Sequence, residues 1–208
     1  MRSDAPVDIR ELNARAVAVS VAVVSALQEG QLELPTPCDG WSLRELLAHM
    51  TAQHLGFAAA AAGNGAGPAV WQVRPLGEDP AAMYADAAAQ VVTAFAADGV
   101  LDREFMLPEL STQRGFPGAQ AIGFHFIDYV VHAWDVAKTL GVPVEFDDGV
   151  LAHASVVARA VPDGAYRLTP GTPFKPALPA RADASTLDQI VAWLGRSPGW
   201  PDASPSAP

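Results

Sequence analysis

The chain has a single cysteine, Cys38, among its 208 residues. One cysteine cannot form an intrachain disulfide, and no CxxC metal pattern is present. A reducing compartment is the natural setting for such a chain. Positive charge is also scarce. Lys and Arg total 13 against 23 Asp and Glu, for a net charge of −10. No basic run occurs, which argues against a nucleic-acid partner and against an anionic membrane surface. Long apolar runs are missing too. The longest near the start, AVAVSVAVVSAL, is about half of a membrane span. The opening MRSDAPVDIRELN carries acids early and lacks the apolar core of a signal peptide. The expected location is the cytoplasm.

What is present is a helix-forming, apolar sequence. Half of the residues are hydrophobic and 17% are charged, enough for a sizeable core. The alanine-rich segments read as helices. A first helix is expected over about 7–28, stopped by Gly30. A second starts at Ser42, where Glu45 three residues on completes a capping box and Trp41 and Leu46 form a hydrophobic staple. It runs to about residue 62. Asp79 and Pro80 open a third helix, to about 96. A fourth, AQAIGFHFIDYVVHAWDVAKTL, ends at Gly141 and Pro143. Asp148 caps a fifth, to about 160. Two connections are long: GNGAGPAVWQVRPLGED, whose aromatic in PAVWQV suits a lid or an interface, and DREFMLPELSTQRGFPG. Together these features predict an all-α fold, a four-helix bundle with crossover connections over residues 1–160. Residues 161–208 form a Pro-rich extension with one short helix, STLDQIVAWLG, and a disordered end.

The fourth helix carries a polar stripe. With Asp128 set to zero, His132 falls at about 40°, His125 at about 60° and Asp135 at about −20°. The rest of the helix is almost entirely apolar, so it is expected to be buried, with the stripe facing an internal site. Buried carboxylates and imidazoles need partners. Asp128 and His132 are one turn apart and can share a metal or simply pair with each other. A third ligand from another helix would leave positions open for substrate. On the second helix two histidines compete for that role. His54 lies nearer the centre of the apolar face and His49 nearer its edge, and periodicity leaves both open. Trp134 and His153 read as packing residues. Cys38 reads as a small buried residue near a helix start.

Three motifs carry a resemblance. PTPCDGWSLRELLAHM resembles the N-terminal signature of the mycothiol-dependent maleylpyruvate isomerase and DinB-like proteins of actinobacteria. DYVVHAWDVAKTLG resembles their second signature, and IVAWLGRSPGW resembles the close of their single-domain members. The resemblance implies a DinB-like four-helix bundle. It also implies a divalent metal, usually zinc, held by His49, Asp128 and His132, and so favours His49 over His54. The studied isomerase has glutamate at the position of Asp128 and an additional C-terminal domain that the short tail here does not match.

With that resemblance the chain reads as a metal-dependent enzyme. It would use a low-molecular-weight thiol of the mycothiol type to transfer to, or isomerise, a small electrophilic substrate. A metal-dependent hydrolase and a non-catalytic metal-binding bundle are the alternatives. No catalytic residue is assigned. His125, Asp135 and His54 are the candidates for supporting the ligands or touching substrate. A small-molecule substrate is the expected partner, and a homodimer is compatible with the sequence.

Overall fold

The computed structural model describes residues 8–38, 40–169 and 172–201. The expected disordered end and the first seven residues lie outside them. Six α-helices dominate: α1 (Ile9–Val24), α2 (Leu43–Ala61), α3 (Pro80–Phe95), α4 (Gly118–Leu140), α5 (Asp148–Ala160) and α6 (Thr186–Trp193). The chain is thus an all-α bundle with a small addition. Glu104–Phe105 (β1) and Phe116–Pro117 (β2) form an antiparallel two-stranded ribbon inside the second long connection. No helix among the described residues is long and apolar enough to cross a membrane.

The helix starts follow from their caps. Ser42 accepts from the Glu45 amide, and the Glu45 carboxylate accepts from the Ser42 amide, so both halves of the capping box are made. Asp79 caps α3 with Pro80 at its first position. The cap of α5 is Asp147, one residue before the expected Asp148; its side chain accepts from the Gly149 and Val150 amides. The first helix is shorter than expected and closes at Val24.

Within the four-helix core, α2 and α3 pack as sequence neighbours, whereas α1 and α2, and α3 and α4, do not lie side by side. α1 packs against α4 and α3, and α2 packs against α3 and, less extensively, against α4. The α1–α2 and α3–α4 connections therefore cross the bundle; length predicts this for α3–α4 only, because the equally long α2–α3 connection joins two helices that pack together. One apolar cluster joins Leu43, Leu46, Leu47 and Met50 of α2 to Tyr84, Ala88, Tyr129 and Val136. Each of these α2 side chains is fully buried, so truncating one to alanine would cost about 2–5 kcal/mol.

The aromatic expected to serve a lid or interface does neither. Trp71 is buried and donates its indole N–H to the Gly65 carbonyl at 2.7 Å. It lies directly on Gly56 of α2, where a Cβ would meet its ring at 2.2 Å. The long connection is therefore folded onto α2, and the glycine is there to admit an indole.

The extension after α5 is also tethered. Arg167 is fully buried, and its guanidinium donates to the carbonyls of Pro162, Val161, Lys175 and Trp193 at 2.6–3.1 Å. Four carbonyl acceptors satisfy a charge that would otherwise be costly to bury. Gly195, at φ 82°, ends α6 in the left-handed conformation that the turn requires. The chain then heads back toward the bundle and buries Arg196.

Candidate metal centre

The site lies on the seam between α2 and α4. A structured turn precedes it. Thr36 donates its hydroxyl to the carbonyls of Trp41 and Cys38 at 2.9 and 3.1 Å, and Gly40 supplies a positive φ of 82°. This turn sets Cys38 and the Trp41 ring beside the start of α2. Trp41 meets the His49 ring edge-on, with centroids 4.7 Å apart. One rung further, Tyr129 donates its hydroxyl to the Met50 carbonyl. Met50 follows His49 and Tyr129 follows Asp128, so this one bond fixes the register of the two helices where the candidate ligands sit.

His49, Asp128 and His132 each offer a ligand atom, and the three atoms lie within 4.8 Å of one another. His132 Nε2 is 3.4 Å from Asp128 Oδ1. That is long for a strong hydrogen bond. It matches the edge of a tetrahedral zinc site, since two ligands each about 2.1 Å from the ion lie about 3.4 Å apart. Two imidazoles and one carboxylate form a donor set that suits zinc and leaves a position open. The residues present therefore fit a divalent metal. The open side is that of Asp128, whose side chain is 28% exposed against 6% for His132.

The protonation states agree with this use. Burial, with His132 nearby, lowers the pKa of His49 to about 4, so its lone pair is available at neutral pH. Burial also works against a charge on His132, but the Asp128 and Asp135 carboxylates outweigh it and raise its pKa. In the bare protein a proton thus tends to sit at the place a cation would take.

Asp135 stands behind His132. Its Oδ2 is 3.0 Å from His132 Nδ1 and accepts that N–H, which turns Nε2 toward Asp128 and His49. A carboxylate that orients a ligating imidazole in this way is a common support for bound metal. Behind Asp135 stands Arg196, with Nη2 at 3.4 Å from Asp135 Oδ2 and 3.6 Å from Cys38 Sγ. Burial works to raise the pKa of Asp135, yet Arg196 and His132 together hold it below the ordinary carboxylate range.

Two of the sequence candidates are not brought to this centre. His125 and His54 form a separate buried chain. The Nδ1 of His125 donates to Asn13 Oδ1 at 2.7 Å, and its Nε2 accepts from His54 Nδ1 at 3.1 Å. The Tyr129 ring stacks on both imidazoles, with centroids 3.9 and 4.2 Å away. Both nitrogens of His125 are thus engaged away from the metal candidates. A stripe drawn at 100° per residue does not show that α1 approaches α4 beside His125 and supplies Asn13.

Trp134 is buried, as expected, and His153 packs edge-on against Phe126. Sequence reasoning did not find Arg196, Asn13, Tyr129 or Gln53. Gln53, one turn after His49, donates to the Glu109 carboxylate at 3.1 Å and ties the second long connection to the rim of the site. For Arg196 the local signals were the helix-ending glycine before it and its place in the IVAWLGRSPGW motif, neither of which shows what it touches.

A crossed helical bundle with two histidines and one carboxylate converging from facing helices defines a class: helical proteins with an internal candidate metal site. The sequence model of the mycothiol maleylpyruvate isomerase N-terminal domain matches residues 14–137, and the chain belongs to that family. An uncharacterised protein of Mycobacterium tuberculosis, found in strain H37Rv and in strain CDC 1551 / Oshkosh, is 31% identical over 189 residues, covering 88% of this chain and 94% of the relative. No solved structure matches the chain. The family connects the chain with mycothiol-related, metal-dependent chemistry. The matched region includes all three candidate ligands, Asp135 and Cys38, but ends before Arg196.

Proposed function

We propose that the chain is a divalent-metal-dependent enzyme that uses a low-molecular-weight thiol, of the mycothiol type, to act on a small electrophile by transfer or isomerisation. The observation that carries this reading is the convergence of His49, Asp128 and His132 within 4.8 Å, supported by the orienting bond from Asp135. A zinc ion there would act as a Lewis acid and lower the pKa of a thiol that reaches the open position. His49 and His132 would supply neutral donors, and Asp128 one negative charge. Asp135 would keep the His132 proton on Nδ1, away from the ion. Trp41, packed on His49, would shield one flank of the centre from water.

The test is mycothiol binding to the zinc-loaded protein, followed by calorimetry, in the native chain and in Asp128→Ala. Binding by the first and not by the second is expected. Equal binding by both would refute the reading. Turnover of an electrophile by water, with no effect of the thiol, would replace it with metal-dependent hydrolysis. If removing the metal changed only the melting temperature, the non-catalytic bundle would stand in its place.

A further inference from the structure

His132 has two nitrogens, and each faces a set of donors. On the Nε2 side are His49 and Asp128; on the Nδ1 side are Cys38 and Asp135, whose ligand atoms also lie within 4.8 Å of one another and of His132. By donor chemistry alone the second set is the softer one, and a thiolate with an imidazole and a carboxylate is a good zinc or cadmium site. The two sets cannot be used independently, because they share one ring.

The Nδ1 side already holds a cation. Arg196 places Nη2 against both donors, 3.4 Å from Asp135 Oδ2 and 3.6 Å from Cys38 Sγ. Its side chain is 5% exposed. Nη1 is held by the Leu194 carbonyl at 3.2 Å, and the guanidinium lies over the Phe174 ring. This is an anchored charge in the interior, delivered by the left-handed turn at Gly195. A metal ion entering this side would meet a fixed positive charge at contact distance and would have to break the His132–Asp135 bond.

We propose that Arg196 is a positioning residue that acts as a built-in cation on the Nδ1 side of His132: it denies Cys38 and Asp135 to a metal ion and leaves Nε2, with His49 and Asp128, as the one coordinating face. The inference rests on the metal reading above for that second face. It assigns to the segment beyond the family match a role in choosing between two overlapping donor sets. It also gives Cys38 a defined place, as a thiol kept out of the coordination sphere.

Cadmium titration tests this, because a cysteine ligand gives a thiolate-to-cadmium charge-transfer band in the ultraviolet and histidine and carboxylate ligands do not. The native chain is expected to bind cadmium without the band. Arg196→Met is expected to show it at one thiolate per chain, and adding Cys38→Ser is expected to remove it. Arg196→Lys keeps a cation on the stem and is expected to stay without the band. A band in the native chain would overturn the proposal, as would its absence from a folded, cadmium-binding Arg196→Met.

If Arg196→Met loses its helical circular dichroism, Cys38→Ser in the native background decides. Unchanged cadmium affinity supports the proposal, and a loss of about tenfold or more makes Cys38 a ligand and overturns it. A native chain that binds no cadmium would instead sink the metal reading, while the band in Arg196→Met would still judge the role of Arg196.

Discussion

The buried His54–His125 chain makes a quantitative prediction about acid. Both rings are fully buried and neutral. Burial lowers the pKa of His125 to about 3, and burial, with His125 adjacent, lowers that of His54 well below its ordinary value. In the unfolded chain each imidazole returns to about 6.5. Just below pH 6.5 the unfolded state takes up a proton at each ring that the folded state does not. The stability due to neutral burial is therefore complete above about pH 6.5 and is lost as the pH falls toward the folded values. Each ring contributes a slope of about 1.4 kcal/mol per pH unit, so the pair gives about 2.7. From about pH 6 to pH 4 His125 alone accounts for a loss of about 2.5 kcal/mol, and His54 adds to it in the same direction, a large share of the whole stability of many domains. Urea unfolding at a series of pH values, with excess chelator throughout, measures this slope. The double variant His54→Phe, His125→Phe removes the titrating pair while filling its volume. Its slope should be shallower by about 2–3 kcal/mol per pH unit. Equal slopes in the two proteins would refute the reasoning, whatever their absolute stabilities.

Four other outcomes follow from the geometry. The pure protein should carry one equivalent of zinc, and His49→Ala should lose it while a folded His54→Ala retains it; metal analysis by mass spectrometry reads both. Asp135→Asn keeps the shape but not the charge behind His132, and zinc affinity measured by chelator competition should fall by about 10–100-fold. Gly56→Ala pushes a methyl into the Trp71 ring, 2.2 Å from the nearest ring atom; thermal unfolding should show a destabilisation of about 1–3 kcal/mol or more. Tyr129→Phe deletes the hydroxyl that bonds the Met50 carbonyl and should cost about 1–3 kcal/mol in urea unfolding.

The helices were legible because their signals are local. Ser42 and Glu45, or Asp79 and Pro80, announce a helix start within four residues, and the structure makes those bonds. The pairing of Asp128 with His132 was legible for the same reason, being one turn of one helix. The role of His125 was not, because it depends on Asn13, 112 residues away in sequence, and on how closely α1 approaches α4. Trp71 was misjudged because its partner is a glycine, and a missing side chain on α2 leaves no mark on a hydrophobic wheel. Arg196 sits 61 residues from Asp135, and an arginine after a short helix looks like any solvated charge until the turn at Gly195 is seen to bury it. The choice of His49 over His54 came from a family motif rather than from periodicity, and the structure gives His54 a buried partner of its own.

The bond from Tyr129 to the Met50 carbonyl separates frame from donor. Register between α2 and α4 is held by a group that offers nothing to a metal, at the rung just beyond His49 and Asp128. Side chains at the donor positions can then be exchanged without resetting the helices that carry them. A bundle built in this way can keep one scaffold while trying aspartate in place of glutamate, another metal or another reaction. Its chemistry is free to diverge faster than its shape.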